Sequence, residues 1–151
     1  MKIKEYLEKR NFKLAKAEDH VVTQYLPYSR KMAEAKNIVE FTSYAGKGED
    51  RRFCVNSPIR LHLFMQRLVE NYTDLEFEDF NEDYDALVSS GAMDEIISLI
   101  PKREYEEFDL LVHMTLDDLM TNEREFAGYV DGKMELLAFL LENTLKKVEA
   151  D

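Results

Sequence analysis

The sequence is poor in residues that interrupt helices and in residues that stabilise extracellular folds. Its 151 residues include five glycines, three prolines, one cysteine and no tryptophan. The single cysteine, Cys54, excludes an internal disulfide, and no N-terminal segment resembles a signal peptide. No stretch approaches the roughly eighteen uninterrupted apolar residues that a membrane helix needs. We therefore expect a cytoplasmic protein that forms one helical domain over residues 1–151.

Basic residues are scarce in the second half of the chain. Residues 1–73 carry fourteen Lys or Arg against nine Asp or Glu, whereas residues 74–151 carry six against twenty-two. The two halves therefore have formal charges of +5 and −16, which together give the net charge of −11. An acidic half repels nucleic acid and anionic lipid, because like charges repel. This pattern favours basic or apolar protein surfaces as partners.

Glycine and proline stand mainly where helices are expected to begin or end. The pattern predicts an all-α fold, a compact domain of about six to seven helices with a long C-terminal helix. Residues 11–26 stay unassigned, and the acidic segment 74–85 is predicted to be a connector anchored by its aromatic side chains. The predicted helices cover residues 3–10, 27–44, 57–72, 84–90, 93–100, 101–122 and 131–150.

Three of these helices carry apolar stripes at three- and four-residue spacing, which is typical of a buried face. The second stripe follows Asn56-Ser57-Pro58, where Ser57 is the expected cap and Pro58 suits the first helical turn. On the third helix, Glu106, Glu107, Asp117 and Asp118 are expected on the solvent side. The stripes consist of Met32, Ala35, Ile38, Val39 and Thr42; of Leu61, Phe64, Met65, Leu68, Val69 and Tyr72; and of Tyr105, Phe108, Val112, Thr115, Leu116 and Leu119.

The C-terminal segment has the longest regular apolar pattern. From Phe126 to Val148, apolar residues recur in steps of four, four, three, four, four and three, close to a coiled-coil seam. Apolar residues outside this seam widen the surface beyond what a lone surface helix needs. We therefore expect this helix to bind a protein partner. The candidate binding residues are Met134, Leu137, Leu141, Leu145 and Val148.

A catalytic or metal site has weak support in the sequence. Asp109, His113 and Asp117 recur every four residues, and two carboxylates with an imidazole suit a divalent metal. A solvated border beside the apolar stripe is the favoured interpretation, because one helix rarely supplies a whole site. The acidic run 79–85 resembles a calcium loop but has Tyr84 where the loop needs glycine. We expect no catalytic residue, no metal and no cofactor.

A basic patch near the second long helix is the candidate for nucleic-acid binding. Phosphate contact would have to overcome the field of the acidic half, so we expect no nucleic-acid partner. An acidic surface of the same or a neighbouring copy fits this patch better and predicts a homo-oligomer. Cys54 is expected to be a modestly buried structural thiol. The patch consists of Lys47, Arg51, Arg52, Arg60 and Arg67.

Several short segments carry a resemblance to a known class of proteins. They are Asp83-Tyr84-Asp85-Ala86-Leu87-Val88, Ser90-Gly91, Ile96-Ile97-Ser98-Leu99-Ile100-Pro101 and Leu116-Asp117-Asp118-Leu119-Met120-Thr121-Asn122-Glu123, with support from Asn56-Ser57-Pro58-Ile59-Arg60 and Lys4-Glu5-Tyr6-Leu7. Together they resemble small acidic helical proteins from the structural gene clusters of phages and prophages of Gram-positive bacteria. Within those clusters, the chain is most similar in kind to tail assembly chaperones.

This resemblance implies a non-enzymatic morphogenesis protein in the bacterial cytoplasm. Tail assembly chaperones coat the long helical tape-measure protein before the tail tube polymerises, and they are absent from the finished virion. The family offers no agreed functional residues to transfer to this sequence. Two alternatives stay open. One is a virion component such as a head-to-tail connector subunit, and the other is an acidic mimic of nucleic acid that blocks a host DNA-binding protein.

Overall fold

The computed structural model describes the backbone of residues 1–148 and the side chains of residues 1–141. Helix dominates this part of the chain, and the prediction of an all-α fold with a long C-terminal helix is confirmed. A short antiparallel hairpin joins the second and third helices, and its strands are β1 (Tyr44–Ala45) and β2 (Arg52–Phe53). The described helices are α1 (Ile3–Asn11), α2 (Tyr28–Thr42), α3 (Ser57–Tyr72), α4 (Phe80–Ser89), α5 (Ala92–Leu99) and α6 (Lys102–Val148).

The chain divides into two compact units, and the boundary falls within α6. The first unit spans Met1–Thr115, and the second begins at Leu116. One core cluster of the first unit joins α1, the end of α3, α4 and α5 around fully buried side chains, among them Tyr6 and Ile96. Burying such large apolar groups stabilises each by about 1.5–3 kcal/mol relative to exposure. The prediction of a single domain over residues 1–151 stays a prediction.

Helix α3 begins where the sequence indicated, but its cap is different. The Ile59 amide donates to Asn56 Oδ1 over 3.1 Å, so Asn56 is the cap and Ser57 is the first helical residue. Asparagine caps as well as serine does, because its side-chain oxygen reaches the same unpaired amides. Pro58 lies in the first turn as predicted.

The predicted apolar stripes lie on the buried faces of their helices, but they also include residues that are exposed. On α3, Phe64, Leu68, Val69 and Tyr72 are buried, whereas Leu61 is 59% exposed. A helix buries a limited arc, and residues at its edge stay in solvent. Three further residues depart from prediction: Met32 on α2 is exposed, and Leu63 on α3 and Leu111 on α6 are buried.

Helix α4 begins four residues before the predicted start at Tyr84. Asp79 caps it, because its Oδ1 accepts the amides of Asn81 and Glu82 over 3.0 and 2.8 Å. The buried Asp83 strengthens this start by accepting the Asp79 amide over 3.0 Å. The acids of this segment therefore initiate a helix, and the connector that we predicted over 74–85 is shorter.

Helix α6 replaces two predicted helices, 101–122 and 131–150, with one continuous helix over Lys102–Val148. Gly128 lies between the two predicted helices, and Gly132 lies in the first turn of the second. Neither has a positive φ, and no proline lies between them, so the backbone stays helical. Glycine in a helix interior costs about 1 kcal/mol relative to alanine, which neighbouring good helix formers can offset. The final predicted residues, 149 and 150, lie outside the described residues.

The unassigned segment 11–26 has little regular structure. It contains a short 3₁₀ turn, Ala17–Asp19, and Val21 pairs with Thr73 in an isolated bridge. The segment between the predicted helices 27–44 and 57–72 contains the β1–β2 hairpin, and Gly46 adopts a φ of +85°, which favours glycine. Cys54 follows the hairpin and is exposed, so its predicted burial is wrong.

Candidate protein-binding surface

The predicted binding residues lie on the second unit, along α6. Met134, Leu137 and Leu141 are 62%, 54% and 64% exposed, although all three are large and apolar. Leu145 and Val148 continue the helix, and their side chains lie outside the described residues. The three described residues follow one another at three- and four-residue spacing, so helical geometry brings them to one face.

The exposed apolar surface extends well beyond these three residues. Every residue from 124 to 141 is exposed. Contiguous apolar surface of this kind marks sites that bind another protein, a membrane or a ligand, because leaving it in water is unfavourable. We call this segment the α6 apolar surface, and its large apolar residues are Phe126, Tyr129, Val130, Met134, Leu136, Leu137, Phe139, Leu140 and Leu141.

Charged side chains accompany the α6 apolar surface. Asp131 and Glu135 supply negative charge, and Lys133 supplies positive charge between them in sequence. The Lys133 ammonium group lies 5.4 Å from the centre of the Tyr129 ring, in a cation–π contact. The surface therefore combines apolar contact area with charges that can orient a partner.

Sequence reasoning missed a buried ion-pair network in the first unit. Lys31 Nζ lies 3.0 Å from Glu104 Oε1 and 2.7 Å from Glu107 Oε2, and Lys31 is completely buried. Glu104 Oε2 also accepts the Leu26 amide over 2.9 Å and the Tyr72 hydroxyl over 2.8 Å. These bonds connect α2, α3, α6 and the segment before α2. The predicted solvent position of Glu107 is therefore wrong, because this carboxylate is half-buried against Lys31.

The environment of this network changes the pKa of Lys31, Glu104 and Tyr72. Burial alone would lower the pKa of Lys31, but hydrogen bonds and charges from Glu107 and Glu104 outweigh burial and raise it. Burial would raise the pKa of Glu104, but hydrogen bonds from the Leu26 amide, Lys31 and Tyr72 hold it below its ordinary value. Burial, followed by the bond to Glu104, raises the pKa of Tyr72. Lys31 and Glu104 therefore stay charged, and their ion pair links α2 to α6.

A sequence signal for this network existed. Lys31 precedes Ala35 by four residues and Ile38 by seven, which places it on the buried stripe of α2. Glu104 likewise precedes Phe108 by four residues. Opposite charges at core positions of two helices predict a buried pair, because an isolated buried charge is very costly.

The candidate metal ligand His113 and a second histidine, His62, have ordinary surroundings. His113 Nδ1 lies 2.9 Å from the Asp109 carbonyl oxygen, and both His113 and Asp117 are exposed. Within the described part of the chain, no group of three His, Cys, Asp or Glu side chains is placed to hold a metal ion. His62 packs between aromatic rings instead, with ring centres 4.0 Å from Phe80 and 3.9 Å from Tyr84.

An open groove of about 590 Å³ lies between α2 and α3 in the first unit. Phe41, Leu63 and Phe80 give it apolar walls, and Arg67 lies at its polar edge. Arg67 Nη1 is paired with Glu70 over 2.7 Å. The groove therefore has apolar walls and, at its edge, an arginine whose charge is paired with a carboxylate.

Members of the predicted basic patch make local contacts. Arg51 lies over the Tyr44 ring at 4.1 Å, and Arg60 Nη2 donates to Ser57 Oγ over 3.1 Å.

Among the described residues, no helix combines the length and the apolar character that crossing a bilayer requires. A scan against protein-family models, a search of curated proteins and a search of solved structures each return no match to this chain.

Proposed function

We propose that this chain is a non-enzymatic assembly protein that binds a helical partner protein through the α6 apolar surface. One observation carries the proposal: residues 124–141 are all exposed and include nine large apolar side chains. A helix with apolar residues at three- and four-residue spacing is complementary to another amphipathic helix. Met134 suits such a surface, because its flexible thioether adapts to varied partners.

The particular function that we propose is that of a tail assembly chaperone for a phage or prophage tape-measure protein. The sequence resemblance supports this choice, and so does the chemistry that such a chaperone needs. It must cover apolar helices while keeping the complex in solution, and a net charge of −11 favours solubility. The charge of −16 on residues 74–151 disfavours nucleic acid as the partner. The proposed place of action is the bacterial cytoplasm.

Co-expression with the tape-measure protein of the same gene cluster tests this proposal. The wild-type chain should keep the tape-measure protein in the soluble fraction and co-purify with it. The double variant Leu137→Glu/Leu141→Glu should lose both effects, because two carboxylates on the apolar face must be desolvated on binding. A matched control places the same changes at Leu61 and Leu110, which are 59% and 57% exposed in the first unit.

Circular dichroism must first show that both double variants keep the wild-type helical content. Binding by the folded Leu137→Glu/Leu141→Glu variant, or failure of the wild type to bind, contradicts the proposal. Detection of the chain in purified virions would instead favour a structural component such as a connector subunit.

A further inference from the structure

An open pocket of about 500 Å³ lies in the first unit, between the end of α1, the segment that follows it and α5. We call it the α1–α5 pocket. Ala15, Ala17 and Leu99 give it an apolar lining, and both alanines are buried. Sites for small molecules have volumes of about 300–1,000 Å³. The α1–α5 pocket is therefore large enough for a small organic molecule.

Five charged side chains also line this pocket: Arg10, Lys13, Lys16, Glu18 and Glu95. Arg10 is fully engaged with Glu95, because its Nε and Nη2 donate to the two carboxylate oxygens over 3.1 and 2.6 Å. Among the described residues, no carboxylate oxygen lies within 4.0 Å of Lys13 Nζ or Lys16 Nζ. Once the arginine pair is set aside, two ammonium groups line the pocket against the single carboxylate of Glu18. In a chain of net charge −11, this pocket is locally positive.

Lys13 occupies a backbone position that favours glycine. The Lys13 amide donates to the Arg10 carbonyl oxygen over 2.9 Å, and the Leu14 amide donates to the Lys9 carbonyl oxygen over 2.8 Å. These two bonds form a Schellman cap at the end of α1, whose left-handed residue is most often glycine. Lys13 has a φ of +59°, and it is the one non-glycine residue with a positive φ in the described part of the chain.

The backbone of Lys13 is therefore strained, because a Cβ atom disfavours the left-handed region. A cation near the C-terminus of a helix offsets part of this cost. A non-glycine residue held in such a conformation points to a role for its side chain. In Lys13 that side chain supplies one of the two ammonium groups of the pocket.

We propose that the α1–α5 pocket binds the phosphate monoester of a small organic molecule. The phosphate group contacts the ammonium groups of Lys13 and Lys16, and the organic part lies against Ala17 and Leu99. A phosphate monoester suits two ammonium groups better than a carboxylate does, because its charge approaches −2 at neutral pH and it has three terminal oxygens. The pocket belongs to the first unit and the α6 apolar surface to the second, so this site goes beyond the proposed function and is tested separately.

Titration of the full chain with phenyl phosphate, followed by amide chemical shifts at low ionic strength, tests the proposal. The shifts should saturate and should concentrate in residues 13–18 and 95–99. Phenyl phosphate should bind more tightly than inorganic phosphate, which lacks the ring, and more tightly than benzoate, which carries one charge. Shifts that do not saturate or that lie elsewhere, or equal affinity for either of the other two anions, overturn the proposal.

Substitution of the two lysines separates the role of the side chain from that of the backbone. Lys13→Gly and Lys16→Gln should each weaken binding of phenyl phosphate by about tenfold, because each removes a charged hydrogen-bond donor. Lys13→Gly should also keep or raise the melting temperature, because glycine adopts the left-handed conformation without strain. Loss of binding in that variant therefore does not reflect unfolding.

The matched control is Lys47→Gln, which removes an exposed lysine that does not line the pocket. Its affinity for phenyl phosphate should stay within about twofold of the wild type, because salt screens distant charges. A folded Lys13→Gly or Lys16→Gln variant that binds like the wild type contradicts the proposal. So does a control variant that loses as much affinity as Lys16→Gln.

Discussion

The Lys31 ammonium group lies 3.0 Å from Glu104 Oε1, and both side chains are buried between α2 and α6. Such a pair stabilises the fold only when every charge and hydrogen bond is satisfied. Here Glu104 also accepts bonds from Leu26 and Tyr72, and Lys31 also binds Glu107. The network thus fixes how α2, α3 and the start of α6 pack within the first unit.

Lys31→Met should lower the free energy of unfolding by about 3–5 kcal/mol, because it leaves two carboxylates without their buried partner. Urea unfolding followed by circular dichroism measures this loss. The control is Lys36→Met, whose exposed pair with Glu40 should contribute within about 0.5 kcal/mol. Equal stability of the two variants would show that the Lys31 network is not formed.

Acid should weaken the same network. The pKa of Glu104 in the folded chain lies below its ordinary value of 4.5, so its contribution is fully present above that pH. The contribution is lost as the pH falls through the folded-state pKa. Urea unfolding between pH 7 and pH 3 should therefore show a smaller decline for Glu104→Gln than for the wild type. Parallel pH profiles would contradict the assignment.

The capping role of Asn56 is tested by comparing substitutions at Asn56 and at the adjacent Ser57. Asn56→Ala should cost about 0.5–2 kcal/mol, because the Ile59 amide loses its acceptor. Ser57→Ala should cost less, since Ser57 is inside the helix. Thermal unfolding of the two variants measures the difference. A larger loss of stability for Ser57→Ala would show that Ser57 is the cap, as the sequence suggested.

Leu68 and Leu61 test the buried face of α3. Leu68→Ala should cost about 2–5 kcal/mol, because Leu68 is fully buried and its loss leaves a cavity. Leu61→Ala should change stability by about 0.5 kcal/mol or less, because Leu61 is exposed. Similar losses at both positions in urea unfolding would mean that α3 is rotated about its axis.

The metal alternative is tested by replacing three exposed side chains together. Asp109→Asn, His113→Gln and Asp117→Asn should leave both stability and partner binding nearly unchanged. Zinc or manganese analysis after gel filtration provides the measurement. A stoichiometric metal in the wild type that disappears from the triple variant would establish a site on α6.

Sequence periodicity predicted most of the first unit because its helices have one buried face and clear ends. The stripes of α2 and α3 and the boundary at Gly91 follow directly from spacing and backbone chemistry. The Lys31 network was missed because reading apolar stripes ignores charged residues at core positions. Continuity of α6 was missed because a glycine signals a helix end only when the backbone turns there.

The candidate surface shows a different limit of sequence reasoning. Spacing predicted that Met134, Leu137 and Leu141 share one face of the helix. Spacing alone does not determine whether such a face is buried, and residues 124–141 are all exposed. The identity of a partner depends on chemistry in another molecule.

Hydrogen–deuterium exchange on the full chain, with and without the co-expressed tape-measure protein, tests the central claim most directly. If the α6 apolar surface binds this partner, amide exchange over residues 124–141 should slow in the complex, because binding suppresses local opening of the helix. Residues 80–99, in α4 and α5, should exchange as in the free chain. A stable complex in which exchange over 124–141 is unchanged, or in which 80–99 is protected instead, would contradict the proposed binding surface.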